Sequence, residues 1–136
     1  FIFIPMVLGS GGNAGSQTTT VIVRGIALGE VDQRNGMRAL AKELGAALIN
    51  GAIIGIGTGF VIYLWEGDAI IALSAALAMT LTFLMAALAG VLVPLGLRAL
   101  KADPALASAA FVSGVTDTMG YLFFLGIATI LLMGSA

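Results

Sequence analysis

Neither cysteine nor histidine occurs among the 136 residues, which excludes thiol catalysis, disulfides, imidazole bases and soft-metal sites. Any metal held by this chain must be a hard cation bound through oxygen. Charge is also scarce. Six basic and seven acidic side chains give a formal net charge of −1, which says nothing of nucleic acid, and no nucleic-acid partner is expected. Apolar residues make up 60% of the chain and the mean hydropathy is +1.10, so too few polar groups are present to cover an apolar interior in water. The expected fold class is an all-α integral membrane protein with the lipid bilayer as its surroundings. The chain opens at Phe1 inside an apolar run, with no initiator Met and no basic leader, so an upstream segment is expected and a signal peptide is not.

A window of roughly 20 residues, the length that crosses roughly 30 Å of hydrocarbon, predicts four spans, at about 1–23, 44–65, 69–97 and 105–133. The third is long enough to require tilt or a bend, and Pro94 supplies one because it cannot donate to the carbonyl of Gly90. Loop charges set the orientation. The 24–43 connection carries Arg24, Arg34, Arg38 and Lys42, and the 98–104 connection carries Arg98 and Lys101. The turn Glu66-Gly67-Asp68 carries no base. By the positive-inside rule the two basic loops are cytoplasmic and the acidic turn is outside. Arg34, Arg38 and Lys42 recur at helical spacing, which predicts a short interfacial helix with a basic face, set beside anionic headgroups or against a regulatory domain. The acidic turn reads as an ordinary polar turn or as a collector of cations at a mouth.

Small residues recur at four-residue steps in span two, at Ala47, Gly51, Gly55 and Gly59, the pattern that lets two membrane helices approach backbone to backbone. Asn50 and Thr58 lie eight apart on a neighbouring stripe and are candidates for a lining role. In span three, the hydroxyls of Ser74, Thr80 and Thr82 can bond back to their own helix and require no ligand.

Span one is the least suited to lipid, with the run Gly9-Ser10-Gly11-Gly12-Asn13-Ala14-Gly15-Ser16-Gln17-Thr18-Thr19-Thr20. At 100° per residue, Gly9, Asn13, Gln17, Thr20 and Arg24 share one line, so one face is continuously polar. Amides in hydrocarbon must find partners, and the glycines predict a loosened helix whose carbonyls are freed toward a covered or wet space. No lysine follows at phosphate-loop spacing. The stripe therefore reads as interhelical hydrogen bonding or as a permeation lining.

One carboxylate, Asp117, lies deep in the apolar stretch from Phe111 to Leu132. A central Asp costs on the order of 3 kcal/mol on insertion scales and belongs in a bundle interior or a wet cavity. Its helical neighbours Ala110, Ser113, Gly114 and Gly120 are small, with Tyr121 beside them, so there is room for a wide object. Hydrated Mg²⁺ is such an object, since it dehydrates reluctantly and takes one or two carboxylates. The other readings of Asp117 are a protonated interhelical hydrogen bond and an ion pair with Arg24. A lone Asp without a second carboxylate or a histidine does not make a hydrolase, so an enzyme is not expected.

The runs Pro5 to Gln17 and Arg24-Gly25-Ile26-Ala27-Leu28-Gly29-Glu30, Lys42-Glu43-Leu44-Gly45 through Gly55, and Ser113 to Tyr121 resemble successive segments of MgtE-type magnesium transporters. The resemblance covers nearly the whole chain. It implies four visible helices of a five-helix membrane domain, a homodimer with the pore on its two-fold axis, and Mg²⁺ as the transported ion. It also implies Asp117, the carbonyl of Ser113 and Asn13 as the metal site, with Gly12, Gln17, Thr20, Gly114 and Thr116 lining the pore. Many members carry cytoplasmic Mg²⁺-sensing domains ahead of the membrane part, and no such segment lies in these residues. The function expected is passive conduction of hydrated Mg²⁺. Its alternatives are a carrier for Co²⁺, Mn²⁺ or Ca²⁺, Na⁺ or H⁺ coupled, and a non-transporting membrane scaffold.

Overall fold

A computed structural model of the chain describes residues 3–106 and 109–134; the expected starts of spans one and four fall partly on residues outside these. Helix α1 spans Ile4–Ala27, α2 Gly36–Glu66, α3 Ala69–Ala99 and α4 Ala109–Gly134, with a 3-10 turn at Pro104–Leu106 leading into α4. Three helices, α2, α3 and α4, are long and apolar enough to cross a membrane. α1 has the length, 24 residues, or about 36 Å at about 1.5 Å per residue, but not the composition. Its polar run keeps it apart from the other three, and it buries Val7, Gly11, Gly12, Gly15, Thr19 and Ile22 against α3 and α4.

The separate interfacial helix is absent. Met37 to Glu43 contains no proline or glycine to stop a helix, so the basic segment forms the first turns of a continuous α2. Leu40 faces inward to Ile22 and Val91, while Arg34, Arg38 and Lys42 stay exposed. Pro94 sits inside α3, fully buried, without ending it.

α2 packs chiefly on α3, along the row read from the sequence. A Cβ on Gly51 would lie 3.0 Å from the Phe83 Cβ, one on Gly55 2.6 Å from the Ala76 carbonyl oxygen, and one on Gly59 2.9 Å from the Ala72 carbonyl oxygen. Hydrogen replaces that carbon, so the backbones touch. The Thr80 hydroxyl confirms the approach, since it reaches the Gly51 carbonyl across the interface at 3.2 Å and its own helix at Ala76 at 3.0 Å. The short α2–α3 turn is built by conformation and capping. Gly67 takes a left-handed φ of 71°, natural for glycine, and Asp68 caps α3 by accepting the Ile70 N–H at 2.8 Å and the Ile71 N–H at 3.3 Å.

The α1–α2 loop is tied to the end of α3. Gly29 turns the chain at φ 73°, Val31 folds back onto Gly25, and the Arg98 guanidinium donates to the Val31 carbonyl at 2.7 Å. Within the loop, the Asn35 N–H at 2.9 Å holds the Asp32 carboxyl below its ordinary 3.8. The Arg34 N–H and the Arg34 and Arg98 charges act in the same direction, against some desolvation. With a lowered folded pKa, the ionised carboxyl stabilises the loop fully above 3.8 and loses that contribution as pH falls through its lower folded value. Protection of the Arg34 and Asn35 amides, measured relative to the intrinsic exchange rate at each pH, should therefore fall on acidification. Asp32→Asn should abolish that acid-dependent component, and an unchanged profile would contradict the assignment.

Candidate functional site, a carboxylate between α1 and α4

Glycines on α1 let α3 and α4 approach closely. Gly11 faces the Thr82 methyl, Gly15 faces Val112 and Thr116, and Gly12 faces α4 where a Cβ would lie 3.0 Å from Asp117 Oδ1 and 3.5 Å from the Ser113 hydroxyl. Any side chain at Gly12 would displace that oxygen. Asp117 is half-buried, and its Oδ1 is shielded from solvent with no hydrogen-bond partner. A buried acceptor of this kind is costly unless something supplies a proton or a cation.

Around the carboxylate lies a short polar chain. The Ser113 hydroxyl donates to the Gly12 carbonyl at 3.2 Å, the Ser16 hydroxyl reaches the same carbonyl at 2.9 Å, and the two hydroxyls are 3.0 Å apart. These bonds fix α1 against α4 beside Asp117. They also correct the expectation of a loosened, glycine-rich start. α1 is regular helix throughout, and the Gly12 and Gly15 carbonyls accept hydroxyls instead of standing free. The cause is filling: side chains of α3 and α4 occupy the space that the glycines leave. The Ser113 carbonyl accepts the Thr116 hydroxyl at 2.9 Å in addition to its bond in the α4 ladder.

Of the residues singled out in the sequence, Gly12, Ser113 and Asp117 come together. Asn13 is exposed on α1 immediately after Gly12. Gln17 is exposed too, but lines a different crevice between α1, α2 and α3, and Thr20 borders one with Arg24 at the end of α1. Gly114 is on the outer face of α4 in a shallow depression with Thr118 and Ala110. Thr116 is fully buried against Gly11 and Gly15. The ion-pair reading of Asp117 is not realised, because no Arg or Lys pairs with it among the described residues and Arg24 lies exposed elsewhere. Ser16 was missed, although it stands four residues after Gly12 on the same helical line. Glu43 was passed over as part of a loop; it is half-buried in the crevice with Gln17.

A model of the MgtE family, described as a divalent cation transporter, matches residues 4–127. The chain belongs to that family. It is 32% identical over 127 residues to the magnesium transporter MgtE of Bacillus subtilis, covering 93% of this chain and 28% of the relative. It is 34% identical over 130 residues to the magnesium transporter MgtE of Thermus thermophilus, covering 96% and 29%. The Enterococcus faecalis magnesium transporter MgtE is 31% identical over 128 residues, 94% of this chain and 28% of the relative. The chain thus spans under a third of the length of these relatives. MgtE proteins are transporters rather than enzymes, and this member is a multi-pass membrane protein.

Proposed function

We propose that this chain is the pore-forming part of a Mg²⁺ channel, with Asp117 holding the hydrated ion. The observation that carries the reading is the partnerless Oδ1 of Asp117, kept in reach of α1 by the bare backbone of Gly12. Mg²⁺ suits a single carboxylate per chain, because it keeps most of its waters and needs only one or two carboxylates. Ser113 stands beside Asp117 on the side of α4 that meets Gly12, and Asn13 supplies a hydrogen bond to those waters.

Exposure favours a dimer. The outer face of α2 carries Ile49, Ile53, Ile56, Phe60 and Leu64, all suited to lipid. The outer face of α1 carries Asn13, whose amide lipid would leave unsatisfied. Two copies meeting through α1 and α4 would cover that face and set two Asp117 carboxylates about one axis. In this arrangement α1 crosses the bilayer as a fourth span, the loops 28–35 and 100–103 face the cytoplasm, and the acidic turn is outside. An inside-negative potential drives entry, each unit charge gaining roughly 2.3 kcal/mol per 100 mV and a divalent ion about twice that.

Mg²⁺ uptake by the full-length protein in proteoliposomes tests the reading. Asn13→Leu removes a hydrogen bond to the ion's water shell, worth about 1 kcal/mol, and should lower uptake roughly fivefold. Thr129→Leu, on the exposed face of α4 where the hydroxyl only bonds back to Leu125 at 2.7 Å, should leave uptake unchanged. Equal uptake in the two variants would remove α1 from the pore wall.

A further inference from the structure

On the other flank of α1 from Asp117, a crevice of about 220 Å³ opens between α1, α2 and α3, lined by Gln17, Thr18, Glu43 and Asn50 over a floor of Phe83 and Ala86. Glu43 is half-buried there, with only the Thr18 hydroxyl at 3.5 Å. Thr18 lies six residues inside Arg24 on α1, about 9 Å at about 1.5 Å per residue. At that depth a carboxylate wants a cation. None of the described lysines and arginines pairs with it; Arg38 and Lys42 are exposed and border a separate groove with Glu30 and Asn35. The crevice has room for about seven waters at about 30 Å³ each. Its polar groups are one carboxylate, two amides and a hydroxyl, all hard oxygen donors.

We infer that the Glu43 crevice is a second binding site for a hydrated divalent cation, distinct from the Asp117 site. The carboxylate supplies the charge, and Gln17, Thr18 and Asn50 bond to the water shell. One oxygen ligand with retained waters is the manner in which Mg²⁺ is commonly held by protein. The inference stands whether or not Asp117 binds an ion, and its test is run with Asp117 neutralised.

Mn²⁺ serves as the probe, in the full-length Asp117→Asn protein carrying a nitroxide at a cysteine introduced in place of Ile49, exposed one turn from the crevice-lining Ala46. Saturable broadening of the nitroxide spectrum by Mn²⁺ is expected, reversed by Mg²⁺ and unaffected by exchanging N-methylglucamine for Na⁺. Glu43→Gln should raise the half-saturating Mn²⁺ concentration about tenfold or more, in line with the loss of a metal-site partner. Asn50→Leu, a second variant should Glu43→Gln fail to fold, should raise it less and in the same direction. No saturable broadening, the same curve in the variants, or displacement by Na⁺ in place of Mg²⁺ would each overturn the assignment.

Discussion

Asp117→Asn should reduce Mg²⁺ uptake by the full-length protein at least about a hundredfold while leaving the protein folded. Two unit charges about 4 Å apart interact by about 4 kcal/mol at an effective dielectric constant of 20. A divalent ion doubles that figure for each carboxylate, and a wet site screens it. Even one third of the doubled value, about 2.7 kcal/mol, corresponds to roughly a hundredfold. The isosteric change keeps the volume beside Gly12 and removes only the charge. Stability supplies a second readout, because the Oδ1 of Asp117 has no donor in the structure. If the side chain served to bind helices together, Asn would weaken the fold. If it serves an ion, thermal stability in Mg²⁺-free detergent should be equal or higher. Unchanged uptake, or lost uptake with lost stability, would end the claim that Asp117 is the ion's site.

The second large effect is on stability. Gly55→Ala places a Cβ 2.6 Å from the Ala76 carbonyl oxygen, an atom of the α3 backbone. A flexible side chain could move aside, but a helical carbonyl cannot, so α2 and α3 must separate along the whole row from Gly51 to Gly59. Overpacking typically costs 1–3 kcal/mol, and a backbone clash lies at about the upper end of that range. The Thr80 bond to the Gly51 carbonyl would be lost with it. Gly57→Ala, two residues on, meets nothing within 4 Å and should stabilise α2 by up to about 1 kcal/mol through helix propensity. Thermal unfolding in one detergent compares them directly. Equal midpoints would mean that the α2–α3 contact is looser than described.

Elements with strong periodicity were legible from the chain alone. The α2 row declares its partner face, since small residues every fourth position have little other use in lipid, and the buried set follows that row. Asp117 was legible because a carboxylate in a run of apolar residues has few stable surroundings. Boundaries were less so. α2 extends to Gly36 because the basic residues that mark a cytoplasmic loop are also good helix formers, so charge and helix propensity gave conflicting ends. The polar stripe of α1 was read as one surface, yet Gln17 turns toward α2 while Thr20 and Arg24 border a separate crevice with Ala109 of α4. A helical projection fixes the angle between two side chains and leaves open which neighbour stands at each angle. Thr116 shows the same limit, since its place next to Asp117 in the sequence puts it on the inner side of α4, against the glycines of α1.

The two kinds of helix contact also divide the molecule mechanically. α2 and α3 meet through carbonyl oxygens and glycine Cα atoms, which cannot yield without breaking helical hydrogen bonds. α1 meets α4 through the Thr116 methyl, Val112 and two serine hydroxyls, each able to change rotamer while the helices stay whole. The α2–α3 hairpin is therefore a stiff strut and the α1–α4 seam beside Asp117 its compliant side, where spacing can be adjusted one side chain at a time.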